Sequence, residues 1–363
     1  MTDFNIKMLG DKELEDYRLF LKRNDHFLFY SSIEYKCLLE TYLNAKPIYY
    51  IAYKKNKIIG CLALFESQNH GMGTMINSLP FYGSNGGFLI DFELTNQEIK
   101  IIMSLLYESL TKYVSKNHVA AVTIITSPFD NHSREFLIEN FNKTYSDYRI
   151  GQVTGLPKNK DDLIKLFDNP RPRNIKKAIK SGVTTRKSTL KEDFDFLFET
   201  HQDNMERIHG KSKSKLFFEL VKKNIPEEFF SLYIAEINGR KIAALLLFYF
   251  NKTVEYFTPC SVYEYRSLQA NSLLIYNAME EAIDEGYLNW NWGGTWKTQK
   301  GVYDFKKKWG AIDKKYFYFT KIINKNIIKL SSNKLMKNYP NFYTLPFDKV
   351  SLSTYSLQYN LGC

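Results

Sequence analysis

The sequence predicts an α/β protein made of two tandem domains of the same design. Residues 51–65 (IAYKKNKIIGCLALF) and 234–248 (IAEINGRKIAALLLF) align without a gap and are identical at six positions. Each segment has the strand, polar turn, strand pattern of a β-hairpin. A helical apolar pattern and a further strand follow each hairpin, which is the order expected of a duplicated structural unit.

The elements around the two hairpins correspond in order. Asn56 lies in the first predicted turn, and Asn238 and Gly239 lie in the second. The helices and strands that follow the hairpins are predicted, in chain order, at residues 96–117, 120–126, 271–286 and 288–292.

A proline-containing segment, residues 169–173 (NPRPR), is predicted to separate the two domains. Because its prolines disfavour helix, we expect the next helix to begin near Asn174 and to close on Gly182 as a C-cap. The predicted division is an N-terminal domain at residues 1–165, a C-terminal domain at 166–325, and a tail at 326–363 that packs back on the body.

The composition is that of a globular protein with an excess of basic residues. Apolar residues make up 44% and aromatic residues 16% of the 363 residues, which argues against extended disorder. The formal net charge of +11 favours a polyanionic partner, such as a nucleotide, a phosphorylated cofactor, RNA or an acidic membrane surface. A solvated lysine-rich surface is the alternative interpretation.

Neither a metal site nor a targeting segment is evident. Cys37, Cys61, Cys260 and Cys363 lack CxxC or metal-ligand spacing, so we interpret them as reduced, buried thiols. The N-terminus has no basic region followed by an apolar one, and the longest apolar run, residues 242–250, is shorter than a membrane-spanning helix. We therefore expect a cytoplasmic protein that has no metal and no membrane span.

Residues 266–286 (RSLQANSLLIYNAMEEAIDEG) form a candidate binding site. They follow a predicted strand and open a helix near Asn271. A strand–loop–helix junction presents free backbone N–H groups and the positive end of the helix dipole, which suits a phosphate or pyrophosphate. Arg266 would add a positive charge there, although a purely structural helix start gives the same pattern.

Several short motifs occur in a definite order along most of the chain. They are NSLPF (77–81) with Gly86 and Gly87, RNIKKA (173–178) with Gly182, HQDNMERIHGKSKSKLFFEL (201–220), Arg266-x-x-Gln269-x-Asn271, EGY (285–287), WGGT (292–295) and GVYxFKxxWG (301–310). The loop at Arg266 is similar to the acyl-CoA loop of the GNAT N-acyltransferases, (Q/R)xxGxG/A, without its two glycines. The order of the motifs, over roughly residues 25–315, resembles the FemAB-type branch of that superfamily.

This resemblance implies two tandem GNAT-like domains, each a mixed, mostly antiparallel twisted sheet flanked by helices, with the active cleft between or within them. It implies an enzyme that transfers an acyl or aminoacyl group to an amine. Relatives of this kind include aminoacyl-tRNA-dependent peptidoglycan bridge enzymes and N-acyltransferases that use acyl-CoA to modify nucleotide-linked amino sugars.

The resemblance assigns a donor-binding set. Lys306, in the FK pair of the last motif, is expected to face the donor and to stabilise negative charge on the reacting carbonyl. Arg266, Gln269 and Asn271 are expected to bind the pyrophosphate side of acyl-CoA, the co-substrate implied for the enzyme.

An acceptor-binding set is assigned in the same way. Arg173 and Lys177 lie on one face of the helix that follows the prolines, where the family binds the diphosphate of the acceptor, although a solvated basic face is the alternative. Tyr82, Ser84 and Asn85, in the glycine-rich loop after Pro80, are candidates to contact the sugar or its base, unless this loop is a plain turn.

Transfer to an amine requires a base of modest strength, because the amine must lose its proton. Glu255, on the strand before the donor loop, lies where many GNAT enzymes place a carboxylate. His201 and His209 are alternatives, and a base that acts through water is another. Covalent catalysis is disfavoured because Cys260 has no evident activating partner.

The leading hypothesis is an acyl-CoA-dependent N-acyltransferase that acts on a dTDP- or UDP-linked amino sugar for cell-surface polysaccharide biosynthesis. The first alternative is an aminoacyl-tRNA-dependent enzyme that acts on a peptidoglycan precursor, with tRNA as its partner. The second is a non-catalytic nucleic-acid-binding protein, suggested by the isoelectric point of about 9.1. The sequence leaves the acyl chain, the sugar, the nucleotide base and the oligomeric state open.

Overall fold

The chain folds into two compact units. The structure is a computed structural model, and it describes residues 4–69, 71–81, 85–130, 132–296 and 298–346. Among these, the residues up to Tyr148 and those from Lys315 onward form the first unit, and Arg149–Lys314 forms the second. These units differ from the predicted consecutive segments 1–165 and 166–325, because the last strand of the chain returns to the first unit.

The described residues contain thirteen strands and ten α-helices. In chain order they are β1 (Phe4–Met8), α1 (Leu14–Leu21), α2 (Ile33–Leu43), β2 (Lys46–Lys54), β3 (Lys57–Ser67), β4 (Thr74–Asn77), β5 (Phe88–Ile90), α3 (Asn96–Lys116), β6 (Val119–Ile125), α4 (His132–Asn140), β7 (Tyr145–Gly155), α5 (Arg171–Lys180), β8 (Thr184–Ser188), α6 (Lys191–Arg207), α7 (Lys215–Asn224), β9 (Phe230–Ile237), β10 (Arg240–Phe250), β11 (Thr253–Ser261), α8 (Ala270–Asp284), β12 (Asn289–Thr295), α9 (Lys300–Lys307), β13 (Ile312–Ile322) and α10 (Ser332–Asn338).

The strands of the first unit lie in the order β1-β2-β3-β4-β6-β13, with β5 beside β3. Only β4 and β6 run parallel, and the other neighbours are antiparallel. The predicted hairpin is present, with Lys54 opposite Lys57. The apolar face of α3 packs on this sheet and contributes Ile102 and Leu106, which are fully buried.

The strands of the second unit lie in the order β8-β9-β10-β11-β12-β7. Only β11 and β12 run parallel. Asn238 and Gly239 connect β9 to β10 with φ angles of 50° and 74°, as a type I′ hairpin turn requires. Helix α8 connects β11 to β12 and is buried against the sheet.

The two units repeat one pattern of strands. In each, a hairpin is followed by a third antiparallel strand, a helix, and a strand parallel to the third one. The register is also conserved, because Leu62 pairs with Tyr50 in the first hairpin as Leu245 pairs with Tyr233 in the second. The predicted duplication and the predicted mixed, mostly antiparallel sheets with flanking helices are confirmed.

Some local predictions are wrong. Helix α5 begins at Arg171 rather than near Asn174, with Pro172 in its first turn. Proline is tolerated there because the first N–H groups of a helix have no intrahelical partner, and its fixed φ already suits the helix. Cys37 is exposed rather than buried.

The region after residue 325 has more structure than the sequence indicated. Its described part contains α10 and packs within the first unit, where Leu335 and Tyr339 are buried. The Tyr339 hydroxyl donates a hydrogen bond of 2.7 Å to the carbonyl oxygen of Gly73.

Candidate functional site

The parallel pairing of β11 with β12 in the second unit ends at a buried carboxylate. The pairing joins Thr253 to Asn289 and ends with Glu255 opposite Asn291. Beyond this pair, β11 continues to Ser261 beside β10, and β12 continues to Thr295 beside β7. Glu255 and Asn291 therefore lie where β11 and β12 stop sharing backbone hydrogen bonds.

Glu255 is held in a defined position by its neighbour. Its side chain is only 1% exposed, and its Oε2 atom accepts a hydrogen bond of 2.8 Å from the Asn291 Nδ2 atom. The Asn291 Oδ1 atom in turn accepts a bond of 3.0 Å from the backbone N–H of Gly293. Gly293 has a φ of 69°, which favours glycine at this position. The strand predicted at residues 288–292 continues through both glycines to Thr295.

Lys306 is a buried lysine at the end of the same strand. It lies in α9 and is 1% exposed. Its Nζ atom donates to the carbonyl oxygen of Gly294 at 3.2 Å and to the Oγ1 atom of Thr295 at 3.0 Å. The fold therefore places the amino group of Lys306 against the last residues of β12.

The N-terminus of α8 has no side-chain cap. Gln269 occupies the N-cap position in the left-handed conformation, with a φ of 62°, and makes no capping hydrogen bond. Its Nε2 atom instead donates to the carbonyl oxygen of Arg266 at 3.2 Å. Arg266 is exposed, and the buried Oδ1 atom of Asn271 has no hydrogen-bond partner among the described residues. The structure thus brings the three predicted donor residues together at an open helix end.

His201 lies in a different environment. It is buried, and its Nε2 atom accepts a hydrogen bond of 3.3 Å from the backbone N–H of Lys213. Burial, with the nearby charge of Lys213, lowers the pKa of His201 to about 3. Such an imidazole is a weak base whose accepting nitrogen is already engaged, so the geometry assigns His201 a packing role. The alternative base His209 lies just after α6 with a φ of 54°.

The predicted acceptor residues of the second unit lie on the exposed face of α5. Arg173 and Lys177 are both exposed, as expected from their spacing. The sequence did not identify Arg171, the first residue of the helix. Arg171 is buried, its guanidinium lies 4.2 Å from the centre of the Phe305 ring, and its Nη2 atom donates to the Phe305 carbonyl oxygen at 3.2 Å. Burial lowers the pKa of Arg171.

Of the predicted acceptor residues of the first unit, only Asn85 is among the residues that the structure describes. Tyr82 and Ser84 lie outside the described residues. Asn85 is 3% exposed and lines a cavity of about 360 Å³ in the first unit. Neither its Oδ1 nor its Nδ2 atom has a hydrogen-bond partner among the described residues.

Sequence reasoning missed two residues that shape these sites, Asn291 and Arg171. Asn291 alternates with Trp290 and Trp292, both fully buried, so it has the pattern of a residue on the opposite face of its strand. Its contact with Glu255 depends on strand register, which the sequence does not reveal. Arg171 was not predicted to lie in the helix, because its neighbouring prolines suggested a loop.

The described part of the chain shows neither a cluster of metal-ligating side chains nor a membrane-spanning helix. No group of three or more His, Cys, Asp or Glu side chains there is arranged to hold a metal ion. Among the same residues, no helix combines the length and apolar character needed to cross a bilayer.

Comparisons with known proteins agree with the observed fold. The FemAB family model matches residues 238–332, a segment that contains Glu255, the start of α8, and Lys306. No curated protein gives a significant sequence match.

Three solved structures share the fold over most of the chain. The crystal structure of FemX has a TM-score of 0.72 and 15% sequence identity, and the match covers 89% of this chain and 98% of FemX. A tandem GNAT protein from the clavulanic acid biosynthesis pathway has a TM-score of 0.54 and 9% identity, covering 88% and 98%. The C-terminal domain of a putative lysylphosphatidylglycerol synthetase from Agrobacterium fabrum has a TM-score of 0.55 and 9% identity, covering 90% and 96%.

The family match and the shared fold both indicate the class of enzyme. Because the sequence identities are low, the solved structures show the fold alone. The family match covers the segment in which the β11–β12 pairing ends at Glu255. Together they support a transferase of acyl or aminoacyl groups, which agrees with the class predicted from the sequence.

Proposed function

Because the chain resembles the FemAB-like branch of the GNAT superfamily in sequence over residues 238–332 and in fold over most of its length, we propose that it transfers an acyl group from acyl-CoA to the amino group of a nucleotide-linked amino sugar. The sugar is linked to dTDP or UDP and is destined for cell-surface polysaccharide. The observation that carries the proposal is the end of the β11–β12 pairing, where buried Glu255 lies on the strand that leads to the uncapped helix α8.

The donor is assigned to the start of α8. Free N–H groups and the helix dipole favour a pyrophosphate at this end, and Arg266 adds an exposed positive charge. The buried Oδ1 atom of Asn271 is an unpaired acceptor, which suits an amide N–H of the kind that pantetheine carries. The thioester supplies the activated acyl carbonyl.

Glu255 is proposed as the general base. Its carboxylate would take a proton from the ammonium form of the acceptor, which frees the nitrogen lone pair to form a C–N bond with the acyl carbonyl. The C–S bond of the thioester then breaks, CoA leaves as its thiolate and takes up a proton, and the amide product remains. Asn291 orients the carboxylate through its 2.8 Å hydrogen bond. Lys306 is proposed to stabilise the negative charge that develops on the carbonyl oxygen.

Arg173 and Lys177 are proposed to bind the diphosphate of the acceptor. Both are exposed on one face of α5, where a long basic side chain can meet a phosphate without first losing an internal partner. Asn85 is proposed to contact the sugar or its base, within the first unit.

An aminoacyl-tRNA donor with a peptidoglycan precursor as acceptor is the second candidate. The match to the FemAB family and the similarity to FemX favour it, because the resemblance includes enzymes of that kind. The two candidates share the fold and the site at Glu255, and they differ in both substrates.

A matrix of donors and acceptors distinguishes the candidates. The purified protein is incubated with acyl-CoAs or aminoacyl-tRNAs and with dTDP- or UDP-amino sugars or a UDP-linked peptidoglycan precursor, and the acylated product is measured by mass spectrometry. CoA-dependent acylation of an amino sugar is the expected result. Product formed only from aminoacyl-tRNA would replace the first candidate by the second.

Variants then test the site assignment. Lys306→Met should lower kcat by about 10²-fold or more, through its effect on the developing charge. It should also lower the melting temperature, because the Gly294 carbonyl and the Thr295 hydroxyl lose their buried donor, so kcat is compared below that temperature. Arg173→Ala should instead raise the KM for the acceptor by about tenfold, as for the loss of one charged contact. The matched controls are Lys307→Met and Lys180→Ala, which remove exposed lysines of the same two helices. Equal losses in variants and controls would contradict the assignment.

A further inference from the structure

Arg171, the first residue of α5, is a buried positive charge in the second unit. Its side chain is 8% exposed, and a guanidinium stays protonated over the whole physiological pH range. Across the part of the chain that the structure describes, no Asp or Glu oxygen lies within ion-pair distance of an Arg171 nitrogen. Burial of a charge is costly unless an opposite charge compensates for it.

The hydrogen bonds of the Arg171 side chain satisfy little of its guanidinium, which has five N–H donors. The Nη2 atom donates to the Phe305 carbonyl oxygen at 3.2 Å, whereas the buried Nε atom has no hydrogen-bond partner among the described residues. A neutral carbonyl offsets part of the desolvation cost but leaves the charge uncompensated. A further acceptor is therefore expected at the edge of the guanidinium that carries Nε.

Two aromatic rings hold the guanidinium in place. Its Cζ atom lies over the Phe305 ring, 4.2 Å from the ring centre, and over the Trp309 ring, 5.4 Å from the ring centre. These cation–π contacts fix the position of the guanidinium but contribute no acceptor for its N–H groups. The N–H groups lie in the plane of the guanidinium, where they match two oxygens that are bonded to the same atom.

The N-terminus of α5 adds to the positive potential around Arg171. The first turn of this ten-residue helix contains no acidic residue, and its N-cap residue, Pro170, makes no side-chain cap hydrogen bond. Because the N-terminus is the positive end of a helix, it disfavours a cation in the first turn and favours an anion. The helix start is also fixed, since the Arg171 N–H donates to the Asp168 carbonyl oxygen at 2.9 Å and the Asp168 N–H donates to that of Lys308 at 3.0 Å.

From these observations we propose that the start of α5 binds an oxyanion, with Arg171 as the residue that pairs with it. The fork of the guanidinium presents N–H donors side by side, and these pair with two oxygens of one carboxylate or one phosphate group. This site differs from the proposed acceptor site at Arg173 and Lys177, because those two side chains are exposed and Arg171 is buried.

The ligand-side test uses simple anions and the full-length protein. Binding of inorganic phosphate and of acetate is measured by calorimetry and by the shift in melting temperature, with chloride at matched ionic strength as the reference. At least one of the two oxyanions should bind saturably and raise the melting temperature above that in chloride. The oxyanion that binds more tightly identifies the chemistry of the ligand as phosphate or carboxylate. Failure of both to exceed chloride would overturn the proposal.

Variants locate the binding at Arg171. Arg171→Met removes the charge but keeps a long side chain, and it should weaken binding of the oxyanion at least about tenfold. Arg171→Lys keeps a charge but loses the planar fork, so it should also weaken binding, by at least about threefold. Lys176→Met is the matched control, because Lys176 is an exposed lysine of the same helix, and it should change binding by less than about threefold. Equal binding in Arg171→Met and the parent protein would overturn the assignment.

A measurement on the parent protein covers the case in which the Arg171 variants do not fold. The Nε–H signal of Arg171 in the proton–nitrogen NMR spectrum, assigned through bonds from its backbone, should shift along the same binding curve as the melting temperature. A signal that does not respond to an oxyanion that binds would place the binding elsewhere and overturn the proposal. Because these measurements need neither an acyl donor nor an acceptor amine, their outcome is independent of the proposed reaction.

Discussion

The two units have the same strand pattern but differ at the position where the parallel pair ends. Phe65 and Phe248 are equivalent residues of the two hairpins, and they pair with Asn77 and Glu255, respectively. The first unit therefore has a buried amide where the second has a buried carboxylate. The difference shows that equivalent positions of a duplicated framework can carry side chains of different chemistry.

In the first unit, the side chain at this position, Asn77, is hydrogen-bonded to a later segment of the chain. The Asn77 Nδ2 atom donates to the Tyr343 carbonyl oxygen at 3.0 Å, and the Asn77 Oδ1 atom accepts from the Tyr343 N–H at 2.7 Å. The segment after α10 is thereby fixed to the end of β4. In the second unit, the Glu255 carboxyl accepts a hydrogen bond from the side chain of Asn291 instead, at the position where we propose the general base.

The helix that follows shows the same contrast. Helix α3 begins with a capping box, in which the Glu98 carboxylate accepts from the Thr95 N–H at 3.0 Å and the Glu98 N–H donates to the Thr95 hydroxyl at 3.3 Å. An acidic side chain thus occupies the positive end of α3. The N-cap residue of helix α8 makes no such side-chain hydrogen bond, and this is the helix end to which we assign the pyrophosphate of the donor in our proposal.

The largest expected effect tests the carboxylate. Glu255→Gln removes the base but keeps a side chain of the same size next to Asn291. We expect kcat to fall by about 10²- to 10⁴-fold, with little change in the KM for either substrate. Steady-state kinetics of the product assay measure both. The matched control is the equivalent position, where Asn77→Ala should leave kcat unchanged and lower the free energy of unfolding by about 1–3 kcal/mol, since it removes the two hydrogen bonds to the backbone of Tyr343. A comparable fall of kcat in Asn77→Ala would contradict the division of roles.

The next effect concerns acid stability, which we expect to differ between the units. The folded pKa of His201 is about 3, below the usual 6.5, because burial disfavours the imidazolium. As the pH drops, His201 therefore takes up a proton in the unfolded chain at a higher pH than in the folded protein. The free energy of unfolding falls as the pH drops from about 6.5 toward 3, by up to about 1.4 kcal/mol per pH unit. In the first unit, the hydrogen bond from Lys54 lowers the pKa of Glu98 from 4.5 to about 2. The contribution of the ionised Glu98 carboxylate to the free energy of unfolding is therefore lost only below pH 4.5.

Urea unfolding between pH 7 and pH 5 measures this difference. His201→Phe should flatten the pH dependence in that range, whereas Glu98→Gln should leave the slope unchanged, because Glu98 stays ionised there in both states. A steep slope that persists in His201→Phe would show that another group carries the acid sensitivity.

The smallest effect comes from the helix caps. Thr95→Ala removes the cap of α3 and should lower the free energy of unfolding by about 1 kcal/mol. Gln269→Gly should raise it by less than about 1 kcal/mol, because glycine adopts the left-handed N-cap conformation of α8 more readily. Chemical denaturation compares the two variants with the parent. Stabilisation by Thr95→Ala would show that the cap of α3 is not formed in solution.

Much of the fold followed from local patterns in the sequence. The hairpins, α3, α8 and the strands after them were placed within a few residues, because alternation and helical periodicity are local properties. The first turn of α5 was missed because prolines are read as helix breakers, although the first turn tolerates them. The return of β13 to the first unit was missed because pairing partners distant in sequence leave no local trace.

The candidate site residues divide in the same way. The loop of Arg266, Gln269 and Asn271 was predicted as one set because the resemblance concerns a strand, loop and helix that are consecutive in the chain. The pairing of Glu255 with Asn291 was not found, since it depends on the register of two strands.

The sequence alone determined that the chain is duplicated, that each copy has a hairpin followed by a helix, and that a loop containing Arg266 precedes the last long helix. Only the tertiary structure decided which copy carries a buried carboxyl paired with Asn291 and which has an amide paired with its own C-terminal segment. The physical reason is that both outcomes depend on contacts between distant residues, Glu255 with Asn291 and Asn77 with Tyr343, and strand register and burial arise only when the sheets form.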